Sequence, residues 1–310
     1  MPRSLAFKIL SAIASHSRGA DVPEGPDSHL DFDVGEFERI HISGPFDVEI
    51  QTGEPASVRA NGCETALEAL EVKAQDDRLF ISCDGDCDGD ATVFVSVPTL
   101  RGLRASGSGD VSIDRVSGDD FDCLSSGSGD LAVDEIDLAR LGLSASGSGD
   151  VRIDKARGTD IEMTMMGSGD LSVEAIETSR LKLTINGSGD ALIEDYTGGH
   201  IEALLTGSGD LSVESLEAED IKLGILGSGD VHFGEGKTAF AAIETSGSGD
   251  ICADDLAARE ASVSVCGSGD ISLQVTRKAD VIVTGSGDVR LTGGAKCTIS
   301  GSGSGEIRCS

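Results

Sequence analysis

Between Asp110 and Gly285 the chain alternates apolar and polar residues in short runs that recur every twenty residues. Counted from the Asp of each repeat, the first position carries Val111, Leu131, Val151, Leu171, Ala191, Leu211, Val231, Ile251 and Ile271. The third carries Ile113, Val133, Ile153, Val173, Ile193, Val213, Phe233, Ala253 and Leu273. Ser or another polar residue usually lies between them. A period of two marks a short strand with one face buried. The pattern returns at positions eleven, thirteen and fifteen, as in Leu181, Leu183 and Ile185, and a lone apolar residue such as Ile176 or Leu216 sits at position six. No repeat keeps the spacing of an amphipathic helix.

The runs are punctuated by Gly-Ser-Gly-Asp, which opens at Gly107, Gly127, Gly147, Gly167, Gly187, Gly207, Gly227, Gly247 and Gly267. A further copy follows at Gly285, and Gly303-Ser304-Gly305-Glu306 is a weaker echo. A fixed period near twenty, with strand, corner and strand in each unit, predicts one coil of a parallel β-helix. Stacked coils place each strand about 4.8 Å from its copy, so the rod should be on the order of 50 Å long. The crossover preference of parallel strands makes it right-handed. Glycine suits a corner where backbones approach closely, and Ser and Asp bond nearby main-chain N–H groups.

Residues 31–105 read differently but remain β-rich. Phe37–Ile42 and Phe46–Ile50 alternate around a Ser43-Gly44-Pro45 turn, and further strands are expected at Val58, Leu79–Ile81 and Val93–Val97. Thr65 to Lys73 is a short helix or a loop. This segment is placed to cap the exposed core at one end of the stack. Residues 1–30 form a leader, disordered or a weak export signal, whose apolar run from Ile9 to Ala14 is short for a secretory core. No stretch is long and apolar enough to span a bilayer as a helix.

A net charge of −31 and a pI near 4.3 make nucleic acid an unexpected partner and disfavour anionic membrane surfaces. High charge with forty-two glycines would ordinarily suggest disorder. The apolar register argues against it.

The order F-x-x-I-x-[IV]-S-G-x-F-D-V-x-I-x-x-G at Phe37–Gly53, then V-x-V-P-x-L at Val95–Leu100, then repeated S-G-S-G-D, resembles the autotransporter-adhesin head (GIN) domain family of bacterial envelope proteins. The resemblance covers most of residues 34–310. It implies a right-handed parallel β-helix, an extracytoplasmic setting in the periplasm or at the cell surface, and no established catalytic activity.

Among candidate chemistries, the corner acids Asp110, Asp130, Asp150, Asp170, Asp190, Asp210, Asp230, Asp250, Asp270 and Asp288 should stack, with Glu306 after them. Like charges at that spacing repel by about 0.9 kcal/mol per neighbour even in bulk water. Main-chain hydrogen bonds, raised pKa values or cations must relieve them. A structural corner role is the main expectation, and no cofactor is expected; the alternative is a calcium-binding row. A second acidic row, Asp114, Asp134, Asp154, Glu174, Glu194, Glu214 and Asp254, reads as a solvated outer face. Cys83-Asp84-Gly85-Asp86-Cys87-Asp88-Gly89-Asp90 could close a disulfide loop or hold a metal. Cys123 and Cys309 fall at inward positions and are expected in the core.

The five His residues are scattered, and Lys and Arg recur at no fixed position that would make a basic groove. The function expected is therefore a non-enzymatic structural or adhesion module. A calcium-dependent rod is the alternative, and a carbohydrate-active β-helix enzyme stands third. The ligand expected is an envelope or surface polysaccharide or protein. The open edge of the C-terminal coil is expected to give weak end-to-end self-association.

Overall fold

In the strand Leu171–Gly187 the buried positions are one, three, six, eight, eleven, thirteen and fifteen, and the other regular coils follow it with local departures, chiefly at position eight. The parity of the alternation therefore slips twice. Two consecutive outward residues, at positions four and five and again at nine and ten, turn the chain without breaking its hydrogen-bond ladder. The Gly-Ser-Gly-Asp corner makes the third turn. A coil thus has three sides, and its core is filled from all of them.

The computed structural model describes residues 28–83 and 91–310. The regular coils are long bent strands: β9 (Val111–Gly127), β10 (Leu131–Gly147), β11 (Val151–Gly167), β12 (Leu171–Gly187), β13 (Ala191–Gly207), β14 (Leu211–Ile225), β15 (Val231–Thr245), β16 (Ile251–Val265) and β17 (Ile271–Val283). Each pairs in parallel with the next, residue i beside i+20, through β15. The expected parallel β-helix is present, although the bends leave each coil a nearly continuous strand rather than two or three short ones.

The register slips between β16 and β17, around Ala253–Glu260, and the coils after it are eighteen residues long. β18 (Val289–Thr292), β19 (Lys296–Gly301) and β20 (Ile307–Cys309) continue the stack. One hydrophobic core runs from Phe37 to Leu291.

The first coil of this frame lies far back in sequence. β2 (Arg39–Gly44) pairs in parallel with β8 (Gly102–Gly107), and β3 (Asp47–Thr52) pairs with the start of β9. On their other side lie β6 (Arg78–Cys83) and β7 (Ala91–Val97), also parallel. The chain leaves the solenoid after Thr52 and returns beneath it before climbing back at Gly102. Antiparallel strands end the stack here: β5 (Leu70–Gln75) beside β6, and β4 (Ser57–Gly62) between β7 and β1 (Ser28–Phe32). Helix α1 (Glu64–Ala69) buries Ala66 and Leu67, so the Thr65–Lys73 stretch is a helix that passes into a strand.

Ser28, His29 and Leu30, read as the end of the leader, belong to β1. The rest of the leader and residues 84–90 of the acidic Cys83–Asp90 loop lie outside the described residues; Cys83 itself is disulfide-bonded.

Cys123 is buried, and burial pushes its thiol up to about 12. Cys309 is a correction. It stands beside Leu291 at an inward position, but among the described residues no strand lies over it, so it is exposed and forms a disulfide with Cys297. Cys297 stands beside the buried Ala279. Two inward cysteines thus clasp the last coil across its own core.

Candidate functional site

At every corner the main-chain N–H of the Asp donates to Oδ1 of the Asp one coil earlier, at 2.7–2.9 Å, from Asp110 onto Asp47 through to Glu306 onto Asp288. The next residue's N–H points the opposite way, as in Val111 donating to the Asp130 carbonyl at 2.8 Å. Each carboxylate therefore takes up a donor that the turning backbone could not place on a carbonyl. This supplies the first of the three expected forms of relief, an amide for each charge.

The two glycines fit for a different reason. A Cβ on Gly129 would sit 2.0 Å from the Gly109 carbonyl oxygen, and one on Gly127 would sit 2.1 Å from that of Gly107. Only bare backbone packs this closely.

Asp47 is a member of the row that the repeat pattern does not reveal, because the next member is sixty-three residues on. Its signal is Ser43-Gly44-Pro45-Phe46-Asp47-Val48, which occupies the frame of Ser106-Gly107-Ser108-Gly109-Asp110-Val111.

The ten corner acids Asp110 to Asp288 are brought together as one row, half-buried in the middle coils and exposed at both ends. Burial holds the Asp190 carboxyl above the ordinary carboxylate range, opposed by the Asp210 amide and reinforced by the charges of Asp210 and Asp170. Among the described residues, no group of three or more His, Cys, Asp or Glu side chains is placed to hold a metal ion.

The second acidic row faces outward. Burial, followed by the charges of Asp154 and Asp114, raises the Asp134 carboxyl. Arg152 bonds both Asp154 and Glu174, at 3.0 and 3.1 Å.

The bend at positions nine and ten carries features not anticipated from sequence. At position eight Leu138, Thr178, Thr238 and Ala258 are buried, while other coils carry Gly or Ala there. The Thr178 and Thr238 hydroxyls donate to the carbonyls of Arg180 and Phe240, each at 3.1 Å. In the coil between Thr178 and Ala218, position eight is Gly198, and the Tyr196 hydroxyl reaches over it to the His200 carbonyl, also at 3.1 Å. A Cβ on Gly198 would lie 2.8 Å from that hydroxyl oxygen. One carbonyl thus receives its donor by two different routes.

On this flank opposite charges meet between neighbouring coils at several positions. Position ten runs Asp120, Arg140, Asp160, Arg180, His200, Asp220. At position seven, Arg157 meets Glu177 at 3.1 Å and Lys237 meets Glu217 at 2.8 Å. At position twelve, Lys182 meets Glu162 at 2.5 Å and Lys222 meets Glu202 at 2.7 Å. Such exposed pairs contribute little each, about 0–1 kcal/mol, but they reject a one-coil slip that would set like against like.

Between positions seven and ten an open channel of about 830 Å³ crosses the coils of β9 to β14. Gly118, Gly158, Gly198 and Gly199 deepen it, and Asp137, Arg157, Glu177 and His200 line it. On its wall His200 bonds Asp220 at 2.5 Å within its own ladder. No helix among the described residues is long and apolar enough to cross a membrane.

A family model described as "Putative auto-transporter adhesin, head GIN domain" matches residues 36–197 and 192–295. No curated protein matches the chain. Among solved structures, a putative lipid binding protein of Parabacteroides distasonis is 18% identical, over 93% of this chain and 98% of that one, with a TM-score of 0.44. A putative adhesin of the same organism is 17% identical over 93% and 98%, with a TM-score of 0.39. A putative adhesin of Parabacteroides merdae is 17% identical over 92% and 97%, with a TM-score of 0.41. The repeated corner, the parallel stack built on it and the extent of the family match together make this chain a member of the auto-transporter adhesin head GIN domain family.

Proposed function

We propose that the chain is a non-enzymatic adhesive or scaffold module of the bacterial envelope, a stiff rod that offers its lateral channel to an extended ligand. The observation that carries this reading is the channel itself. It runs across successive coils, so it suits a linear polymer laid along the rod, either a polysaccharide or an extended protein segment. Its glycines expose main-chain groups, and Asp137, Glu177 and Glu219 stand with Arg157 and His200 along it, which provides both donors and acceptors. Envelope placement draws support from the family and from the Cys297–Cys309 disulfide, since disulfides persist in oxidising compartments.

Two measurements test the reading. Fractionation of native cells should find the protein in the envelope or at the surface; a purely cytoplasmic protein would overturn it. Replacing the exposed channel residue Thr159 with Trp should abolish binding to purified surface polysaccharide or surface protein extract while leaving the melting temperature unchanged. Binding that survives the filled channel would locate the ligand elsewhere.

A further inference from the structure

Two outward columns on the third side differ from the rest of the surface. They are positions fourteen and sixteen of nine successive coils, from Leu124 and Ser126 to Ile282 and Thr284, each beside its counterpart one coil on. Charged residues make up 25% of the chain, yet Glu244 is the single charge in these columns; the others are mostly Ser, Thr and aliphatic residues. Leu124, Met166, Leu204, Leu226 and Ile282, five of the eight large apolar side chains exposed among the described residues, lie here.

The three in column fourteen are also placed symmetrically, whereas Met166 and Leu226 in column sixteen would face Ser246 and Asn186. In column fourteen the apolar residues are Leu124, Leu204 and Ile282, in the first, fifth and ninth coils of the nine. Leu204 therefore has an apolar neighbour four coils away in each direction, about 19 Å.

We infer that a second copy of this chain docks on this face, sheet against sheet and with its axis reversed, about a two-fold that passes beside Leu204. A two-fold interface has to be complementary to itself. Reversing the axis sets Leu204 on Leu204 and Leu124 on Ile282 twice. It also sets Glu244 opposite Thr164 rather than its own copy. Each chain carries a net charge of −31, so copies repel wherever their acidic rows meet, and this is the face where that repulsion is least. At the rim, Lys182 and Lys222 are already neutralised by Glu162 and Glu202 of their own chain. The face measures about 40 by 15 Å, or on the order of 600 Å² per copy, the lower end of the range for specific interfaces. An interface of this size suits a weak, reversible dimer.

Sedimentation equilibrium of the full chain, from about 1 µM to about 500 µM, reads this directly. The expected result is a monomer–dimer equilibrium. Leu124→Lys and Ile282→Glu should each weaken it at least about tenfold, and the two combined in one chain should restore it, because the new charges then face each other across the interface. Phe240→Glu, an exposed apolar residue off this face, should leave it unchanged. Melting curves establish that each variant is folded. A strictly monomeric wild type would overturn the inference, as would a combined variant no better than the single ones. A mass that climbs past the dimer would also overturn it, in favour of end-to-end growth.

Discussion

The main-chain N–H of Asp210 donates to Oδ1 of Asp190 at 2.9 Å, while the Asp190 carboxyl titrates above its ordinary range. Partial burial is the chief cause of the shift; the Asp210 amide opposes it, and the charges of Asp210 and Asp170 add to it. The folded chain therefore holds this proton more tightly than the unfolded chain. From the ordinary value of 3.8 up to the raised one, stability falls as pH rises, and the charge remains a cost at neutral pH. Asp190→Asn keeps an acceptor oxygen and removes the charge. It should raise the melting temperature at neutral pH, with the gain shrinking in acid. Asp190→Ala removes the acceptor and should cost about 1–2 kcal/mol. Melting curves of the three chains across pH check both signs, and an Asn variant as damaged as the Ala variant would refute the assignment.

The carboxylates from Asp47 to Asp288 all serve an amide. Unfolding in chelator and in millimolar calcium at matched ionic strength should therefore coincide. A rise that grows with calcium and is absent with magnesium would turn the row into a cation site, by linkage to the folded state.

Corner glycines should tolerate nothing larger. A Cβ on Gly189 would lie 2.0 Å from the Gly169 carbonyl oxygen, so Gly189→Ala should cost upwards of about 3 kcal/mol. Ser188→Ala next to it should cost less than about 0.5 kcal/mol. Denaturant titration of the two variants separates close backbone packing from a general sensitivity of the corner.

Thr245 stands between Ile225 and Val265 with its hydroxyl buried and without a partner among the described residues. Thr245→Val should stabilise the chain by about 1 kcal/mol, read as a higher denaturant midpoint at unchanged slope.

Breaking the Cys297–Cys309 disulfide should act locally. The loop it closes spans twelve residues, for which a loss of about 3 kcal/mol is expected. Hydrogen exchange should quicken in β18 to β20 on reduction while the coils around Asp210 keep their protection. Exchange rising equally throughout would show that the clasp holds more than its own coil.

The strands were legible in the sequence because inward positions one, three, eleven and thirteen hold large apolar residues in coil after coil. Position eight was not, because its occupants range from Gly118 through Thr178 to Leu138, with neither volume nor polarity held constant. The double outward pairs at four–five and nine–ten do encode the bends, but only once the parity of burial is followed through a whole coil. Asp47 escaped because sixty-three residues of sequence separate it from its neighbour in space. Cys309 was correctly placed inward, yet pattern alone gives a side chain's direction and says nothing of what covers it. The channel at positions seven to ten had no signal of its own; it arises from Gly118, Gly158 and Gly198 falling on one line.

The two-residue shortening of the later coils is taken up around Ala253–Glu260, on the far side from the corner, and the Asp288 amide still meets Asp270 at 2.8 Å. The corner is thus the datum from which each coil is measured, and the remaining circumference is adjustable. A gene of this kind can gain or lose whole turns by unequal recombination between like segments, because any corner accepts any other as its neighbour. Rod length is then inherited as a count, free to drift without disturbing the corner on which each turn is laid.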